Sequence, residues 1–380
     1  MINISTPAYI CEEALLENNL QLLDRVQKES GAKVILALKG FAMWSTFDIV
    51  AKYLHGCTAS GLHEAKLARE EFCRHNSEAE VHTYSPAFKD EDIEEIARIS
   101  DHIVFNSPKQ LKRFIGKVKE INPNIEVSLR VNPEVSSSPV DIYNPCGLYS
   151  RLGTTLQNFD ETVLEHLDGL NFHALCEQDA DALEEVLASF EEKFSKYFKN
   201  LKYVNFGGGH HITRKDYDVE KLIWLIKEFK KKYNNIEVYL EPGEAVGWQT
   251  GYLVATVLDT FKNGMDVAIL DTSAEAHMPD TLAMPYRAMV RGSGEAGEKP
   301  YTYRLGGNTC LAGDIMGDYS FDLPLEVGQQ VIFEDQIHYT FVKNTTFNGI
   351  KLPSLAIKRK NGVIDLIKEF GYEDYKGRLS

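Results

Sequence analysis

The 380-residue sequence lacks the features that mark membrane, secreted and nucleic-acid-binding proteins. No apolar run approaches the ~20 residues that span a bilayer, and the first residues lack the basic and apolar regions of a signal peptide. The net charge of −15 argues against nucleic acid as a partner, because phosphate binding needs a basic face. We therefore expect a cytoplasmic protein with neither a membrane nor a nucleic acid among its partners. The acidic balance is compatible with a cationic small-molecule substrate.

Paired cysteines and zinc-protease motifs are also missing. The cysteines are scattered without a C-x-x-C pair, which favours reduced thiols over a disulfide framework or a zinc site. His210 and His211 are adjacent, but neighbouring side chains of an extended segment point to opposite sides and chelate poorly, and no H-E-x-x-H occurs. We therefore predict no metal. The cysteines are Cys11, Cys57, Cys73, Cys146, Cys176 and Cys310.

Apolar strand-like runs alternate with amphipathic helical stretches over the first 245 residues. Eight such runs predict an α/β fold with a (β/α)8 barrel. A doubly wound sheet is the alternative, but it would usually carry a Gly-rich turn after its first strand, and Lys39-Gly40-Phe41-Ala42 stands there instead. The predicted strands are Val34–Lys39, Gly56–Ser60, Glu80–Ser85, His102–Asn106, Ile125–Asn132, Gly169–His173, Lys202–Gly207 and Ile236–Glu241. The predicted helices are Glu12–Glu29, His63–His75, Asp90–Ile99, Pro108–Glu120, Ala180–Tyr197 and Asp216–Tyr233.

The pattern changes after Gly247, where short strand-like runs alternate with turn signals such as Asn263-Gly264. We predict a C-terminal all-β domain of residues 247–380, to which residues 1–10 add a strand, and a barrel domain of residues 11–246. The predicted strands of the second domain are Ile2–Ile10, Tyr252–Phe261, Met265–Asp271, Tyr301–Leu305, Gln330–Phe333 and His338–Lys343.

The residues at the carboxyl ends of the eight runs are polar, and in a barrel those ends converge on one rim. Lys39 ends an apolar strand, where it either points into solvent or acts as a Schiff-base amine with a lowered pKa. The other residues of the rim favour the second interpretation. They are Ser60, Ser85, Asn106, Arg130, His173, Gly207-Gly208-Gly209 and Glu241.

Two of these strand ends indicate a bound aromatic phosphate. The glycines Gly207, Gly208 and Gly209 either form a tight turn or bring backbone N–H groups close to an anion, and barrel phosphate sites commonly follow strands seven and eight. Glu241 ends the eighth strand, where a carboxylate could hold a proton on a pyridine nitrogen.

Taken together, the motifs resemble the pyridoxal-phosphate-dependent decarboxylases of the alanine-racemase fold (fold type III), which include ornithine, arginine and diaminopimelate decarboxylases. Further segments resemble the branch of that family that acts on carboxylated polyamines. The family motifs are Ala37-Leu38-Lys39, His173, Gly207-Gly208-Gly209, Glu241-Pro242-Gly243, Cys310 with Asp314, and Tyr339 with Thr346-Phe347-Asn348-Gly349. The segments of the branch are Leu36–Ala42, Tyr143–Cys146 with Ser150–Gly153, His173–Glu177 and Cys310–Asp314.

The resemblance implies pyridoxal phosphate as cofactor and decarboxylation of carboxynorspermidine or carboxyspermidine to norspermidine or spermidine. It implies that Lys39 forms the Schiff base, that His173 stacks on the ring, and that Glu241 pairs with the pyridine nitrogen. Arg130, on the same rim, is expected to contact the cofactor. The phosphate would be held by Gly207, Gly208, Gly209, Gly243 and Tyr339.

The resemblance also implies a homodimer with shared active sites, because Cys310 would protonate the carbanion in the site of the partner subunit. Asp314 would help to bind the distal amine of the substrate across that interface. Further candidates for the substrate amines are Glu275, His277, Asp280 and Glu177, and the alternative is that these residues are exposed loop groups.

Two positions depart from the family pattern. Glu244 follows Glu-Pro-Gly where many relatives have an arginine that assists phosphate binding, and Cys176 stands where many have serine, a better hydrogen-bond donor. Two other functions stay open. Decarboxylation of another basic amino acid such as diaminopimelate would demand an extra arginine, and a catalytically inactive regulatory homologue would be expected to lose Lys39 or Cys310.

Overall fold

A computed structural model describes residues 2–136, 138 and 141–380. The chain divides into two compact units. The barrel unit comprises Glu17–Val246, and the sheet unit comprises the residues up to Leu16 together with Gly247–Ser380. Among the described residues, no helix has both the length and the apolar character that a bilayer crossing requires.

Eight parallel strands of the barrel unit form a closed barrel, which confirms the predicted fold. Closure is made by β2 and β9, where Lys33 pairs with Tyr239 and Val34 with Leu240. Each strand ends one or two residues earlier than predicted. In addition, β6, β8 and β9 begin one residue later than predicted, and β2 begins one residue earlier. Numbered along the chain after β1 (Ala8–Glu12) of the sheet unit, the strands are β2 (Lys33–Ala37), β3 (Gly56–Ala59), β4 (Glu80–Tyr84), β5 (His102–Phe105), β6 (Glu126–Arg130), β7 (Gly169–Asn171), β8 (Tyr203–Asn205) and β9 (Glu237–Leu240).

The helices that cover the barrel follow the apolar periodicity of the sequence. In α7, the residues Leu222, Ile223, Leu225, Ile226 and Phe229 are buried, and the lysines between them lie outside. The helices are α1 (Glu13–Ser30), α2 (Phe47–Val50), α3 (Leu62–Leu67), which continues as a π-helical turn (Ala68–Phe72), α4 (Ile93–Ile99), α5 (Pro108–Ile121), α6 (Ala180–Phe194), α7 (Val219–Lys232) and α8 (Glu244–Gly247). Short 3₁₀ helices span Trp44–Thr46, Asp141–Tyr143, Leu156–Asn158, Glu161–His166, Ser195–Asn200 and, in the sheet unit, Phe347–Gly349.

The sheet unit is built on one mixed sheet, in which the strands follow the order β13-β12-β11-β10-β1-β15-β16 and β14 also pairs with β10. The N-terminal strand β1 is central, because it runs antiparallel to β10 and parallel to β15. The strands are β10 (Gly251–Asn263), β11 (Met265–Leu270), β12 (Tyr301–Gly306), β13 (Ile315–Phe321), β14 (Gln330–Glu334), β15 (Ser354–Lys358) and β16 (Ile364–Lys368). The helices are α9 (Ala274–His277), α10 (Asp280–Ala283), α11 (Tyr339–Val342) and α12 (Tyr372–Gly377).

One predicted strand of this unit is wrong. The run His338–Lys343 forms helix α11, in which Val342 N–H donates to His338 O at 3.2 Å and Lys343 N–H donates to Tyr339 O at 3.0 Å. Its aromatic and β-branched residues favour a strand locally, but the tertiary context overrides that preference. The strands β13, β15 and β16 were not identified from the sequence.

Candidate active site

Lys39 lies at the barrel mouth, where the carboxyl ends of the eight strands meet. A turn after β2 places it there, since Gly40 N–H donates to Ala37 O at 3.0 Å and Ala37 N–H donates to Pro242 O at 3.0 Å. The pKa of Lys39 is lowered from its usual 10.5, first because the surrounding barrel atoms desolvate the ammonium and second because Arg130 is a like charge. Lys39 is nevertheless an exposed residue of the chain, so water reaches its side chain.

His173 follows β7 and is bonded to the glycine segment Gly207–Gly209. The backbone N–H of Gly208 donates to Nδ1 of His173 at 2.9 Å. Because an amide N–H can only donate, Nδ1 carries the lone pair and Nε2 carries the hydrogen of the neutral ring. The pKa of His173 is lowered well below 6.5, mainly by burial and further by the charges of Lys39 and Arg130. The imidazole is therefore neutral at physiological pH.

Arg130 supports the backbone that carries His173. It is the last residue of β6 and only 5% exposed. Its Nη2 donates to His173 O at 3.1 Å, and its guanidinium lies 4.8 Å from the ring centroid of Tyr84. Tyr84 in turn donates its hydroxyl to Asn106 Oδ1 at 2.8 Å. Three strand ends are thus connected through one buried cation.

The glycine segment has no room for side chains. Gly207 and Gly209 have φ of +72° and +85°, and a Cβ on them would lie 2.3 Å from Phe172 O and 2.0 Å from Leu175 O. Within the part of the chain that the structure describes, the N–H groups of Gly209 and Gly243 donate to no acceptor. Free N–H groups on a crowded glycine backbone are suited to an anion, so this side of the mouth fits the phosphate of pyridoxal phosphate.

Glu241 is half-buried directly after β9. Its Oε1 accepts a hydrogen bond of 2.7 Å from Asn205 Nδ2, and its backbone N–H donates to Gly207 O at 2.8 Å. Among the residues described, Oε2 accepts no hydrogen bond, so one oxygen of the carboxylate is available to a ligand. The sequence reasoning missed Asn205, although an asparagine at the end of an apolar strand, two residues before three glycines, was a usable signal.

The departures from the family pattern and the predicted Glu177 also lie near strand ends. Cys176 is half-buried, and its backbone N–H donates to Gln178 Oε1 at 3.4 Å. Glu177 is exposed with a φ of +53°. Glu244 is the first residue of α8. Its backbone N would be 2.8 Å from a Cβ placed on Gly40, so the two turns of the mouth are closely packed.

The sheet unit carries the predicted acid Cys310 in an exposed segment before β13. Its backbone N–H donates to Asn348 Oδ1 at 2.6 Å. Asn348 has a φ of +56° and belongs to the Thr346–Gly349 motif. The two motifs that the sequence singled out separately are therefore in direct contact.

Asp314 is 4% exposed, and in-chain donors occupy both of its oxygens. Oδ1 accepts from Ser273 Oγ at 3.0 Å and Ala274 N–H at 2.7 Å. Oδ2 accepts from Thr309 N–H at 3.1 Å and from its hydroxyl at 2.6 Å. Asp314 thus ties the segment that carries Cys310 to the start of α9.

Glu275 and His277, both on α9, each have one buried polar side-chain atom without a hydrogen-bond partner among the described residues. Oε2 of Glu275 is buried without a hydrogen-bond partner among the described residues, and its pKa is raised by burial and by the nearby Asp314. His277 is fully buried. Its Nδ1 lies 3.0 Å from Thr272 Oγ1, while Nε2 has no partner in the described part of the chain. Burial lowers the pKa of His277 to about 4.

Tyr339 and Asp280 are connected through Lys343. Lys343 Nζ lies 2.6 Å from Asp280 Oδ1 and 5.1 Å from the ring centroid of Tyr339, the first residue of α11. Asp280 therefore already has a cationic partner, which weakens its candidacy for a substrate amine.

A cluster of possible metal ligands, Glu80, His82 and His102, lies at the barrel end opposite the mouth, where β4 and β5 begin. The imidazoles stack at 3.8 Å with an interplanar angle of 10°. Lone pairs of parallel rings do not converge on one ion, whereas tetrahedral zinc requires convergent ligands. Lys33 Nζ also occupies Glu80 Oε1 at 2.7 Å. The arrangement is a hydrogen-bonded and ion-paired core rather than a fitting metal site.

The known proteins that this chain is similar to are decarboxylases. A family model described as "Pyridoxal-dependent decarboxylase, C-terminal sheet domain" matches residues 9–336. A carboxynorspermidine/carboxyspermidine decarboxylase of Campylobacter jejuni is 53% identical over 99% of this chain and 98% of its own length. A carboxyaminopropylagmatine decarboxylase of Synechocystis is 42% identical over 99% of this chain and 96% of its own length.

A similar solved structure is that of carboxynorspermidine decarboxylase from C. jejuni complexed with norspermidine. It has a TM-score of 0.91 at 52% identity, covering 99% of this chain and 100% of that one. A diaminopimelate decarboxylase structure, at 15% identity and a TM-score of 0.82, shares the fold.

Proposed function

This chain belongs to the pyridoxal-dependent decarboxylases, and on that premise we propose that it removes carbon dioxide from carboxynorspermidine and carboxyspermidine to give norspermidine and spermidine. The observation that carries the proposal is the 53% identity to the C. jejuni enzyme over nearly the whole of both chains. The barrel mouth supports it, because a lysine, a neutral histidine, a free carboxylate oxygen and an anion cradle lie on adjoining strand ends.

Pyridoxal phosphate fits this mouth, and when bound it supplies an electron-withdrawing ring that takes up the electron pair released by the departing carboxylate. Gly209 and Gly243 would hold the phosphate through their free backbone N–H groups, whereas the N–H groups of Gly207 and Gly208 already donate to Asn205 and His173. No arginine follows Gly243, since Glu244 stands there, so backbone groups carry more of this task than in many relatives.

Lys39 and Glu241 have distinct roles in the proposal. The lowered pKa of Lys39 increases the fraction of neutral amine, which is the form that bonds to a carbonyl carbon. Glu241 would offer Oε2 to the ring nitrogen, where its negative charge would favour a proton. His173 packs as a neutral ring, so it adds no second positive charge beside that proton.

Cys310 is proposed to deliver the proton that replaces the lost carboxylate, acting in the active site of the partner subunit of a homodimer. Mixing Lys39→Ala and Cys310→Ser subunits tests this arrangement. If sites are shared, half of the dimers are mixed and each has one intact site, so about a quarter of the wild-type activity returns. Sites confined to one chain would regain none.

The substrate's ammonium groups need carboxylates, and we propose Glu275 as the principal one. Its Oε2 has no partner among the described residues, whereas Asp314 is fully engaged by Ser273, Ala274 and Thr309. In this proposal Asp314 affects the substrate only indirectly, by holding the segment that carries Cys310. His277, Asp280 and Glu177 remain secondary candidates for contact with the substrate.

A second substrate, carboxyaminopropylagmatine, is favoured by the 42% identity to the Synechocystis enzyme. Its guanidinium would also suit a carboxylate such as Glu275. A catalytically inactive homologue is disfavoured, because Lys39 and Cys310 are both present. We further propose a cytoplasmic location, which the absence of disulfides among the described residues supports.

The proposed function is tested by incubating purified protein with pyridoxal phosphate and carboxynorspermidine and measuring carbon dioxide and norspermidine. We expect both products in equal amounts and expect Lys39→Ala to form neither. A wild-type protein that binds the cofactor but releases no carbon dioxide from any carboxylated polyamine would overturn the proposal.

A further inference from the structure

We infer that Asn205 is a positioning residue that sets the Glu241 carboxylate and the glycine segment at the same time. The inference rests on the proposed function, because it concerns how the mouth receives pyridoxal phosphate. Asn205 Nδ2 donates to Glu241 Oε1 at 2.7 Å, and Asn205 Oδ1 accepts from Gly207 N–H at 2.8 Å. One amide therefore joins the carboxylate that faces the ring nitrogen to the backbone that faces the phosphate.

The chemistry of the two neighbours fixes the orientation of this amide. Gly207 N–H can only donate, so it must face the amide oxygen, and the Glu241 carboxylate can only accept, so it must face the amide nitrogen. Aspartate would offer two acceptors and leucine would offer none. A side chain of this length that provides one donor and one acceptor is needed, and asparagine satisfies that requirement.

The backbone of Asn205 is itself held firmly. It is the last residue of β8, 1% exposed, and lies between Asn171 of β7 and Tyr239 of β9 in the barrel register. Its carbonyl accepts a hydrogen bond of 2.9 Å from Phe172 N–H. Because the barrel strands fix the backbone of Asn205, its side-chain amide acts as a rigid support for the two groups to which it is hydrogen-bonded.

A backbone hydrogen bond also connects Glu241 directly to the glycine segment. Glu241 N–H donates to Gly207 O at 2.8 Å, so Gly207 is bonded on one side to the Glu241 backbone and on the other to Asn205. With Oε1 of Glu241 held by Asn205, the oxygen that remains for the ring nitrogen is Oε2. Loss of the Asn205 amide is therefore expected to affect ring protonation and phosphate binding together.

Asn205→Leu tests this prediction, with Asn171→Leu as the matched control at the end of the neighbouring strand. Asn171 is also a buried asparagine, 4% exposed, and its side chain makes no hydrogen bond to Glu241 or Gly207, both of which are bonded to Asn205 instead. Binding of pyridoxal phosphate and of inorganic phosphate to apoenzyme is measured by fluorescence. The protonation of the ring nitrogen is measured by ¹⁵N NMR of enzyme loaded with ¹⁵N-labelled cofactor.

For Asn205→Leu we expect inorganic phosphate to bind about three- to tenfold more weakly, as for one lost hydrogen bond. We also expect the ring nitrogen to lose its proton at a lower pH than in the wild type. Asn171→Leu should change neither quantity. Equal losses in both variants, or wild-type values in Asn205→Leu, would overturn the inference.

Asn205→Asp keeps the inference testable if the leucine variant does not fold. Two carboxyls in contact share one proton at low pH, so a protonated aspartate can donate to Glu241 as the amide does. We expect near wild-type affinity for pyridoxal phosphate at pH 6 and at least about a tenfold loss at pH 9, where the two carboxylates repel. A pH-independent affinity would contradict the role. Failure of the wild type to bind the cofactor would instead refute the proposed function.

Discussion

The backbone N–H of Gly208 donates to Nδ1 of His173 at 2.9 Å, which ties the ring expected to stack on the cofactor to the segment expected to hold its phosphate. Buried N–H groups that lose their acceptor cost about 1–3 kcal/mol. A side chain of similar shape that cannot accept a hydrogen bond should therefore disturb both functions.

We predict that His173→Phe weakens the binding of pyridoxal phosphate to apoenzyme by about 5- to 150-fold, because Gly208 N–H loses its acceptor. Fluorescence titration of the apoenzyme measures the change. His75→Phe, at an exposed position outside the mouth, is the control and should bind like the wild type. Unchanged affinity in His173→Phe would show that the hydrogen bond from Gly208 N–H to His173 does not contribute to cofactor binding.

The reactivity of Lys39 should depend on pH and on Arg130. The neutral amine is the reactive form, and the pKa of Lys39 is lowered by desolvation and by the Arg130 charge. The rate of cofactor capture should therefore rise with pH through a midpoint below 10.5. Arg130→Met removes one lowering cause and should move that midpoint upward. Stopped-flow absorbance of apoenzyme mixed with pyridoxal phosphate follows the reaction.

Arg113→Met serves as the control for Arg130→Met. Arg113 is an exposed arginine of α5 that pairs with Asp90 and does not influence Lys39. Its removal should leave the midpoint unchanged. A midpoint that stays fixed in Arg130→Met would mean that desolvation alone lowers the pKa of Lys39.

The sequence motifs suggested Asp314 as a substrate ligand, but its contacts predict a structural effect first. Asp314→Asn places an amide group among donors from Ser273, Ala274 and Thr309. Such a mismatch costs about 1–3 kcal/mol, so we expect a lower melting temperature of the protein. Calorimetry without ligand measures it, and an unchanged melting temperature would contradict this account of Asp314.

Glu275→Gln should show the opposite behaviour. Oε2 of Glu275 has no hydrogen-bond partner among the described residues, and burial and Asp314 disfavour its negative charge, so the melting temperature should not decrease. Norspermidine should bind about 10- to 150-fold more weakly, as for one charged hydrogen bond of about 1.5–3 kcal/mol. Isothermal titration calorimetry of the holoenzyme gives the affinity. Full affinity in Glu275→Gln would assign the amine contact to another acid.

The stacked His82 and His102 at the barrel end opposite the mouth lead us to predict a loss of stability in acid. Burial lowers the pKa of His102 well below 6.5, so the unfolded state takes up a proton that the folded state refuses. Stability is therefore full above pH 6.5 and falls as the pH drops below it, by up to about 1.4 kcal/mol per pH unit for this group. His102→Gln should lose less melting temperature between pH 7 and pH 5 than the wild type does.

The matched variant for this test is His75→Gln, which removes an exposed histidine. Its melting temperature should decrease from pH 7 to pH 5 as steeply as that of the wild type. If His102→Gln shows that same steepness, the acid sensitivity arises elsewhere, for example from the buried His210, whose pKa burial lowers to about 4.

Much of the barrel could be predicted from the sequence, because strands buried on both faces read as apolar runs that end in polar residues. Lys39 and Glu241 stand at such ends, so their common location at the mouth followed from the strand count. The sheet unit was harder. In His338–Lys343 local preference indicated a strand, and only packing against the rest of the unit selects helix α11.

The missed parts of the site depend on contacts between residues distant in sequence. Asn205 meets Glu241 across 36 positions, and Asp314 meets Ser273 across 41. A motif places Asp314 near Cys310 but cannot reveal whether its oxygens are free or already bonded. Hydrogen-bond satisfaction is a property of the folded chain, and here it separates Glu275 from Asp314 as the candidate ligand.

The most direct test of the proposed function is a comparison of kcat/KM for carboxynorspermidine, carboxyspermidine, carboxyaminopropylagmatine and diaminopimelate on one preparation of holoenzyme. We predict turnover of both carboxylated triamines, within about 200-fold of each other because they differ by one methylene. Diaminopimelate should be slower by at least about a thousandfold, since its distal end would bring a second carboxylate, beside its ammonium, up to the carboxylate of Glu275. Diaminopimelate as the best substrate, or no carbon dioxide from either triamine, would contradict the account.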